Sequence, residues 1–181
     1  MVGSLCKRFA WAISALVCAI AVPAVAGTTP GGLAPSQVAK LHTQPLPIVV
    51  PGYVPAGFRL ARVDVTNLKS KPTAANSYVL RYRSSDGREF TIDVGDSDFG
   101  DVAPDTSSFR RPFTASSKAI GPTTFSPSKI LVHEQDAWIY ASDYRSLAQL
   151  GNARAMLIFS ASNVSPGEIR AIYSSLQPLS H

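Results

Sequence analysis

Hydrophobic and polar residues alternate most regularly between residues 78 and 94, and this alternation predicts a β-hairpin. A three-residue loop of Ser85-Asp86-Gly87 brings the apolar rows of both arms to one face, whereas a two-residue loop of Asp86-Gly87 would put them on opposite faces. Gly87 supplies the left-handed residue that the longer loop needs. We therefore predict the longer loop, with Arg83 opposite Glu89. The apolar rows are Tyr78, Leu80 and Tyr82 on the first arm, and Phe90, Ile92 and Val94 on the second.

A strand with an interrupted pattern precedes the hairpin, from Phe58 to Thr66. Apolar residues alternate with Arg59, Arg62 and Asp64, but the alternation slips by one position at Ala61. The slip predicts either a β-bulge or a strand with two different environments.

The C-terminal segment has every local signal of a helix. Ser165 is a capping residue, Pro166 suits the first turn and Glu168 completes a capping box, while Val164 is placed for a hydrophobic staple with Ile169. Pro178 is expected to end the helix. One apolar stripe follows from helical spacing: Ile169, Ile172, Tyr173 and Leu176. A helix with such a stripe packs on a sheet, so the predicted fold class is α+β, an antiparallel β-sheet packed against a C-terminal α-helix.

The region between hairpin and helix has weaker signals. Residues 96–112 predict a long polar loop, and residues 144–150 predict a short helix or an irregular crossover. Strands are expected at Lys118–Phe125, Lys129–His133, Ala137–Ser142 and Arg154–Ala161, with turns at Gly121-Pro122, Ser126-Pro127 and Gln135-Asp136.

Residues 1–26 have the three parts of a signal peptide. Lys7 and Arg8 precede an uncharged apolar run from Phe9 to Val22, and Ala24-Val25-Ala26 offers the small residues that signal peptidase accepts. The run is short for a membrane span, although an uncleaved anchor is an alternative. Lipid attachment at Cys18 is a second alternative, which Leu16-Val17 disfavour.

Three regions follow from this pattern: a signal peptide at 1–26, a proline-rich leader at 27–55 and a single α+β domain at 56–181. Proline recurs in the leader and disfavours long helices and central strands, so we predict an extended segment with a short helix at Pro35–Leu41. We expect a periplasmic or secreted protein that meets the membrane only transiently during export.

Composition narrows the functional classes after cleavage. Removal of residues 1–26 leaves 155 residues, which suits one domain, and takes away both cysteines, so that no disulfide is possible. The net charge falls from +5 to +3 because two basic residues leave, and so mild a charge argues against nucleic-acid binding. Charges are unevenly placed: Arg59, Arg62, Lys69, Lys71, Arg81 and Arg83 precede an acidic stretch of Asp86, Glu89, Asp93, Asp96, Asp98, Asp101 and Asp105.

Candidate catalytic and metal motifs are incomplete. His133-Glu134-Gln135-Asp136-Ala137 begins like a zinc-protease helix, but Ala137 stands where the second histidine belongs. The loop from Asp96 to Asp101 has carboxylates at calcium-like spacing, but its glycine comes one position early and Ser107 replaces the closing glutamate. No Gly-x-Ser-x-Gly elbow occurs. We therefore predict no catalytic residue, no metal ligand and no cofactor, with calcium binding by the acidic loop left open.

Aromatic residues alternate on several strands, and we predict that they form the core rather than an apolar ligand cleft. They are Tyr78, Tyr82, Phe90, Trp138, Tyr140 and Tyr173.

Short motifs across residues 48–178 resemble an uncharacterised bacterial extracytoplasmic domain family. The motifs are Pro51-Gly52-Tyr53-Val54-Pro55-Ala56-Gly57-Phe58, the hairpin at 78–94, Trp138 on a late strand and the Ser165-Pro166-Gly167-Glu168-Ile169 helix that ends in Ser174-Ser175-Leu176. The family occurs in sporulation-associated lipoproteins and in the outer domains of anti-sigma-factor membrane proteins. The resemblance implies a sheet-and-helix module for sensing or interaction. It implies no catalytic residues.

The expected function is that of an exported, non-enzymatic binding or sensing module of the cell envelope. Its partner would be an envelope protein, a polymer or an apolar ligand. Two alternatives stay open, namely a lipid or lipoprotein carrier that uses the concave apolar face of the sheet, and a hydrolase of unrecognised type.

Overall fold

The computed structural model describes residues 29–67, 75–96, 111–132 and 135–180, and it describes side chains within these ranges except at 128–138. Two α-helices, ten strands and two short 3₁₀ turns lie in this part of the chain. The helices are α1 (Pro35–Leu41) and α2 (Pro166–Ser174), and the 3₁₀ turns are Pro30–Gly32 and Ala148–Leu150. The strands are β1 (Val49–Pro51), β2 (Phe58–Thr66), β3 (Ser77–Ser84), β4 (Glu89–Gly95), β5 (Phe113–Ser117), β6 (Gly121–Val132), β7 (Gln135–Ser142), β8 (Arg145–Leu147), β9 (Asn152–Ser162) and β10 (Leu176–Pro178).

Two antiparallel sheets organise these strands. The larger has the order β2-β3-β4-β9-β7-β6-β5, with β8 also paired to β9, and the smaller joins β1 to β10. Helix α2 packs on the larger sheet, where the Tyr173 ring meets Phe125 and Phe159 edge-on at 5.5 and 6.2 Å between ring centroids. The predicted α+β class is confirmed.

The β3–β4 hairpin has the predicted loop and register. Gly87 has φ +83°, and the Ser84 N–H donates to the Arg88 carbonyl across the loop. Arg83 lies opposite Glu89, and the apolar rows face the core together. The slip predicted at Ala61 is a β-bulge, because the pairing of β2 with β3 shifts between Leu60 and Arg62.

Helix α2 has the predicted cap. The Ser165 side chain accepts the Glu168 N–H, and the Glu168 carboxylate accepts the Ser165 N–H. The expected end at Pro178 is wrong, because the helix stops at Ser174 and β10 follows. The Ser175 carbonyl accepts the Gly52 N–H at 2.9 Å, so pairing with β1 replaces a further helical turn.

Two predicted turns lie inside strand β6. Gly121-Pro122 opens the strand after a turn at residues 118–120, and Ser126-Pro127 continues it. The missing N–H of Pro127 is tolerated because β5 pairs with β6 only as far as Phe125, so this part of β6 has one partner strand.

The remaining differences lie in the second half of the larger sheet. Gln135-Asp136 is not a turn but the start of β7, and β5 is a strand that the sequence did not predict. Residues 144–150 combine β8 with a 3₁₀ turn, which ends at Gly151 with φ +87°.

The described part of the expected leader is packed against the domain. Helix α1 has the predicted bounds. The chain segments before and after it accept hydrogen bonds from tyrosine hydroxyls of β3. The Tyr78 hydroxyl accepts the Val49 N–H at 2.7 Å and donates to the Pro47 carbonyl at 3.0 Å. Buried leader residues extend the core: Leu33, Leu41, Leu46, Ile48, Val49 and Val50. The sequence did not predict these contacts, while the boundaries at 26 and 55 stay predictions.

Candidate functional site

The incomplete motifs lie largely outside the described residues. His133, Glu134 and residues 97–110 lie outside the described residues, as does the predicted signal peptide at 1–26. Asp96 is described, and its carboxylate accepts the Asn76 side-chain amide at 2.7 Å. Among the described residues, no three His, Cys, Asp or Glu side chains come together to hold a metal ion, and no helix has the length and apolarity to cross a bilayer.

The aromatic residues form the core, as predicted, wherever their side chains are described. Tyr82 stacks on Phe90 at 4.5 Å between ring centroids, and Phe90 stacks on Phe159 at 5.7 Å. Tyr78, Tyr140 and Tyr173 are also buried, whereas the side chain of Trp138 is outside the described set. The core-facing side of the sheet is thus occupied by packed rings.

A cleft of about 480 Å³ opens beside the first residues of β2. We call it the β2 cleft. Its walls come from the start of the described chain, from the segment between β1 and β2, and from β2 and β3. The lining residues are Thr29, Pro30, Gly31, Gly32, Gly52, Val54, Phe58, Arg59, Leu60 and Tyr82.

Tyr82 holds one wall of the β2 cleft in place. Its hydroxyl donates to the Gly31 carbonyl at 2.8 Å, across 51 positions of sequence. Burial raises the pKa of Tyr82 above its ordinary value, so the hydroxyl keeps the proton that it donates. Gly31 has φ +76°, and a Cβ there would lie 2.9 Å from this hydroxyl. Glycine is therefore required at this contact.

Tyr53 lies next to the β2 cleft, and its aromatic side chain is exposed to solvent. The residue is 47% exposed, and among the described residues it is the one large hydrophobic residue that is exposed at the surface. Its chain neighbours Gly52 and Val54 both line the cleft, and its own N–H donates to the Ser175 hydroxyl at 2.9 Å. The backbone is thus fixed while the ring faces solvent. An exposed aromatic ring next to a cleft is typical of a contact surface.

Four arginines lie on the outer face of β2 and β3, opposite the core. We call this group the arginine face: Arg59, Arg62, Arg81 and Arg83. They form two cross-strand pairs, Arg59 with Arg83 and Arg62 with Arg81. The side chains of Arg62, Arg83 and Arg81 are 70%, 57% and 42% exposed. Like charges directly opposite each other lower stability, so this arrangement is not explained by folding.

Two carboxylates neutralise only part of the arginine face. Glu89 contacts Arg83 at 2.7 Å and Arg81 at 3.3 Å, and Asp64 contacts Arg62 at 2.6 Å. Arg59 has no ion pair within the described part of the chain, and it also lines the β2 cleft. The cleft and the arginine face therefore meet at Arg59 and leave a net positive surface there.

The outer face continues onto β4 and β9 with different chemistry. The Thr91 and Ser160 hydroxyls lie 2.6 Å apart, next to a cavity of about 70 Å³ that Ile139 also lines. Burial raises the pKa of Asp93 to about 6. This cavity is far smaller than the ligand pockets of proteins, which makes the β2 cleft the better candidate.

Sequence reasoning missed the β2 cleft because three separate segments build it. One signal was present, since Arg59, Arg62, Arg81 and Arg83 belong to the basic cluster that precedes the acidic stretch. The antiparallel pairing of β2 with β3, which the sequence did not predict, places them side by side.

Comparison of the chain with protein-family models, with curated proteins and with solved structures found no match in any of the three. The resemblance to the extracytoplasmic family stays a prediction from its motifs.

Proposed function

We propose that the protein is an exported, non-enzymatic binding module of the cell envelope and that the β2 cleft receives its partner. The observation that carries this proposal is the cleft itself, about 480 Å³ in volume, with an apolar wall at Phe58 and Leu60 and a cation at its edge in Arg59. A cleft with a few placed polar groups on an apolar lining is the usual form of a recognition site.

Two features favour binding at the edge of the sheet over carriage of a lipid beneath it. The core-facing side is filled by stacked rings, of which Tyr82, Phe90 and Phe159 are fully buried. The β2 cleft is instead open at the surface and has Tyr53 exposed beside it. An apolar carrier needs an enclosed cavity to bury an acyl chain.

Native mass spectrometry of the protein purified from its own envelope tests the proposal. Val54→Trp fills the cleft, whereas Leu150→Trp places the same ring at a half-buried site near β8 as a matched control. We expect a bound molecule to accompany the unaltered protein and the control and to be lost from Val54→Trp. Equal retention by all three proteins, or no bound molecule on any of them, would contradict the proposal. Thermal unfolding of each variant checks that the fold persists.

A further inference from the structure

The free edge of β2 is covered along only part of its length. Strand β2 is the first strand of the larger sheet, and within the described ranges its partner strand is β3. At the far end, the Lys40 ammonium of α1 donates to the Val63 carbonyl at 3.0 Å, and the Asn67 side chain donates to the Thr43 carbonyl at 3.0 Å. At the near end, Phe58 to Leu60 border the β2 cleft instead. The Phe58 N–H donates to the Pro55 carbonyl at 3.1 Å. Within the described residues, the leader thus covers the edge after the bulge, and before the bulge it leaves open the outward groups from the Phe58 carbonyl to Leu60.

An open strand edge offers backbone groups to a further strand. Every second residue of an antiparallel edge strand directs its N–H and C=O away from its partner, and an added strand lies about 4.8 Å away. Natural edges are often protected by charges or bulges. Here the bulge at Ala61 limits the open stretch to the residues that border the cleft.

The two sides of this edge differ in chemistry. Phe58 and Leu60 belong to the core-facing row and line the β2 cleft, whereas Arg59 belongs to the outer row with Arg83. Side chains of an added strand alternate between the same two sides. One side would therefore meet an apolar cleft and the other would meet guanidinium groups, so the edge favours a strand in which apolar and acidic residues alternate.

Charge also selects among possible occupants. A second copy paired through its own β2 would bring Arg59 and Arg62 of both copies together, and like charges across an interface are costly. An acidic segment neutralises the same groups instead.

We propose that the protein captures an extended acidic segment of a partner protein by strand addition to β2 at residues 58–60. The acidic side chains lie on the arginine face, and the apolar side chains enter the β2 cleft. This inference rests on the proposed function, because it names the class of partner that the same cleft would receive.

A fluorescent peptide in which glutamate and valine alternate tests the inference. The same peptide with alternate backbone nitrogens methylated keeps the side chains and loses the donors of a strand, and a lysine–valine peptide reverses the charge. By fluorescence anisotropy we expect saturable binding of the parent peptide and affinity weaker by at least about tenfold for both control peptides. Amide hydrogen exchange should show new protection at Leu60, whose N–H faces the open edge.

Variants of the protein locate the binding. Arg59→Glu removes a repulsion with Arg83, so the variant should fold. Its affinity for the parent peptide should nevertheless be weaker by at least about tenfold. Arg154→Glu makes the same change at an exposed site on β9 and should leave affinity within about twofold. Arg59→Lys keeps the charge and should retain most of the binding.

Four results would overturn the inference. They are no binding of the parent peptide, equal binding of the methylated peptide, equal loss with Arg154→Glu, and a concentration-dependent dimer, seen by analytical ultracentrifugation, that blocks the peptide. Heparin binding with the same dependence on Arg59 but no competition from the peptide would indicate a polyanion surface instead. A further outcome is that the parent peptide shows no binding while native mass spectrometry still shows a bound molecule on the unaltered protein and none on Val54→Trp. In that case the strand-addition inference is wrong and the proposed binding function stands.

Discussion

The two faces of β3 and β4 differ in burial and in chemistry. On one face, Tyr82 and Phe90 are fully buried and stacked, and Tyr78 holds the leader. On the other, one residue away along the same strands, Arg83 and Glu89 face solvent and make an ion pair. The first face contributes most of the packing, whereas the outer face of β3 places arginines opposite those of β2. Adjacent residues are therefore expected to differ strongly in how much their substitution changes stability.

The largest effect is expected from Phe90→Ala. The ring packs against Tyr82, Phe58 and Phe159, with centroids 4.5, 5.4 and 5.7 Å away. Its removal leaves a cavity in the core and should lower the free energy of unfolding by about 3–5 kcal/mol, as measured by urea denaturation. Thr91→Ala, one position along on the outer face, should cost less than about 1 kcal/mol. Equal costs for the two variants would show that the faces do not divide as described.

Tyr78→Phe should have the next largest effect. It removes a hydroxyl that makes two hydrogen bonds with the leader and leaves the Val49 N–H and the Pro47 carbonyl without that partner. We expect a loss of about 2 kcal/mol and faster proteolysis within residues 42–55. Tyr53→Phe is the control, because this exposed ring contributes little to the core. A loss no larger than that of the control would mean that the hydroxyl does not hold the leader.

The loop between β3 and β4 determines whether the apolar rows of the two strands lie on the same face of the sheet. Gly87→Val therefore tests the register of this hairpin. Gly87 has φ +83°, which a β-branched residue adopts only with strain. We expect a loss of about 1–2 kcal/mol by thermal or urea denaturation. Gly167→Val, at a glycine without a positive φ, should cost no more than about 0.5 kcal/mol. An unchanged midpoint for Gly87→Val would rule out this loop.

The smallest effect is expected from Asp93→Asn, which should raise the free energy of unfolding, whereas the other substitutions lower it. Burial raises the pKa of Asp93 from 3.8 to about 6, so ionisation disfavours the folded state. The penalty is absent below the unfolded pKa of 3.8, grows between 3.8 and about 6, and is complete above that range. Asn should raise stability by about 1 kcal/mol at pH 7, a value reduced for partial exposure, and by nothing near pH 3.5. The measurement is urea denaturation across pH, and a constant difference between the proteins would exclude this origin.

Local signals predicted the elements that depend on local interactions. The alternation at 78–94 and the cap at Ser165 specify the hairpin and α2 without help from distant residues. Pro127 shows the limit of such signals, because its place in β6 depends on where β5 ends. The packing of the leader depends on partners still further away, since Val49 pairs with Pro178 and Gly31 with Tyr82. The walls of the β2 cleft come from these distant segments, which is why the sequence indicated the basic cluster that includes Arg59 but not the shape of the cleft.

The pairing of β1 with β10 has a consequence for the order of folding. Val49 pairs with Pro178, far away in sequence, so the small sheet cannot close until the segments between them have been brought together. Contacts between distant segments form late and slowly. Closure of the small sheet is therefore expected among the last steps of folding, after the β3–β4 hairpin and α2, which depend on local contacts.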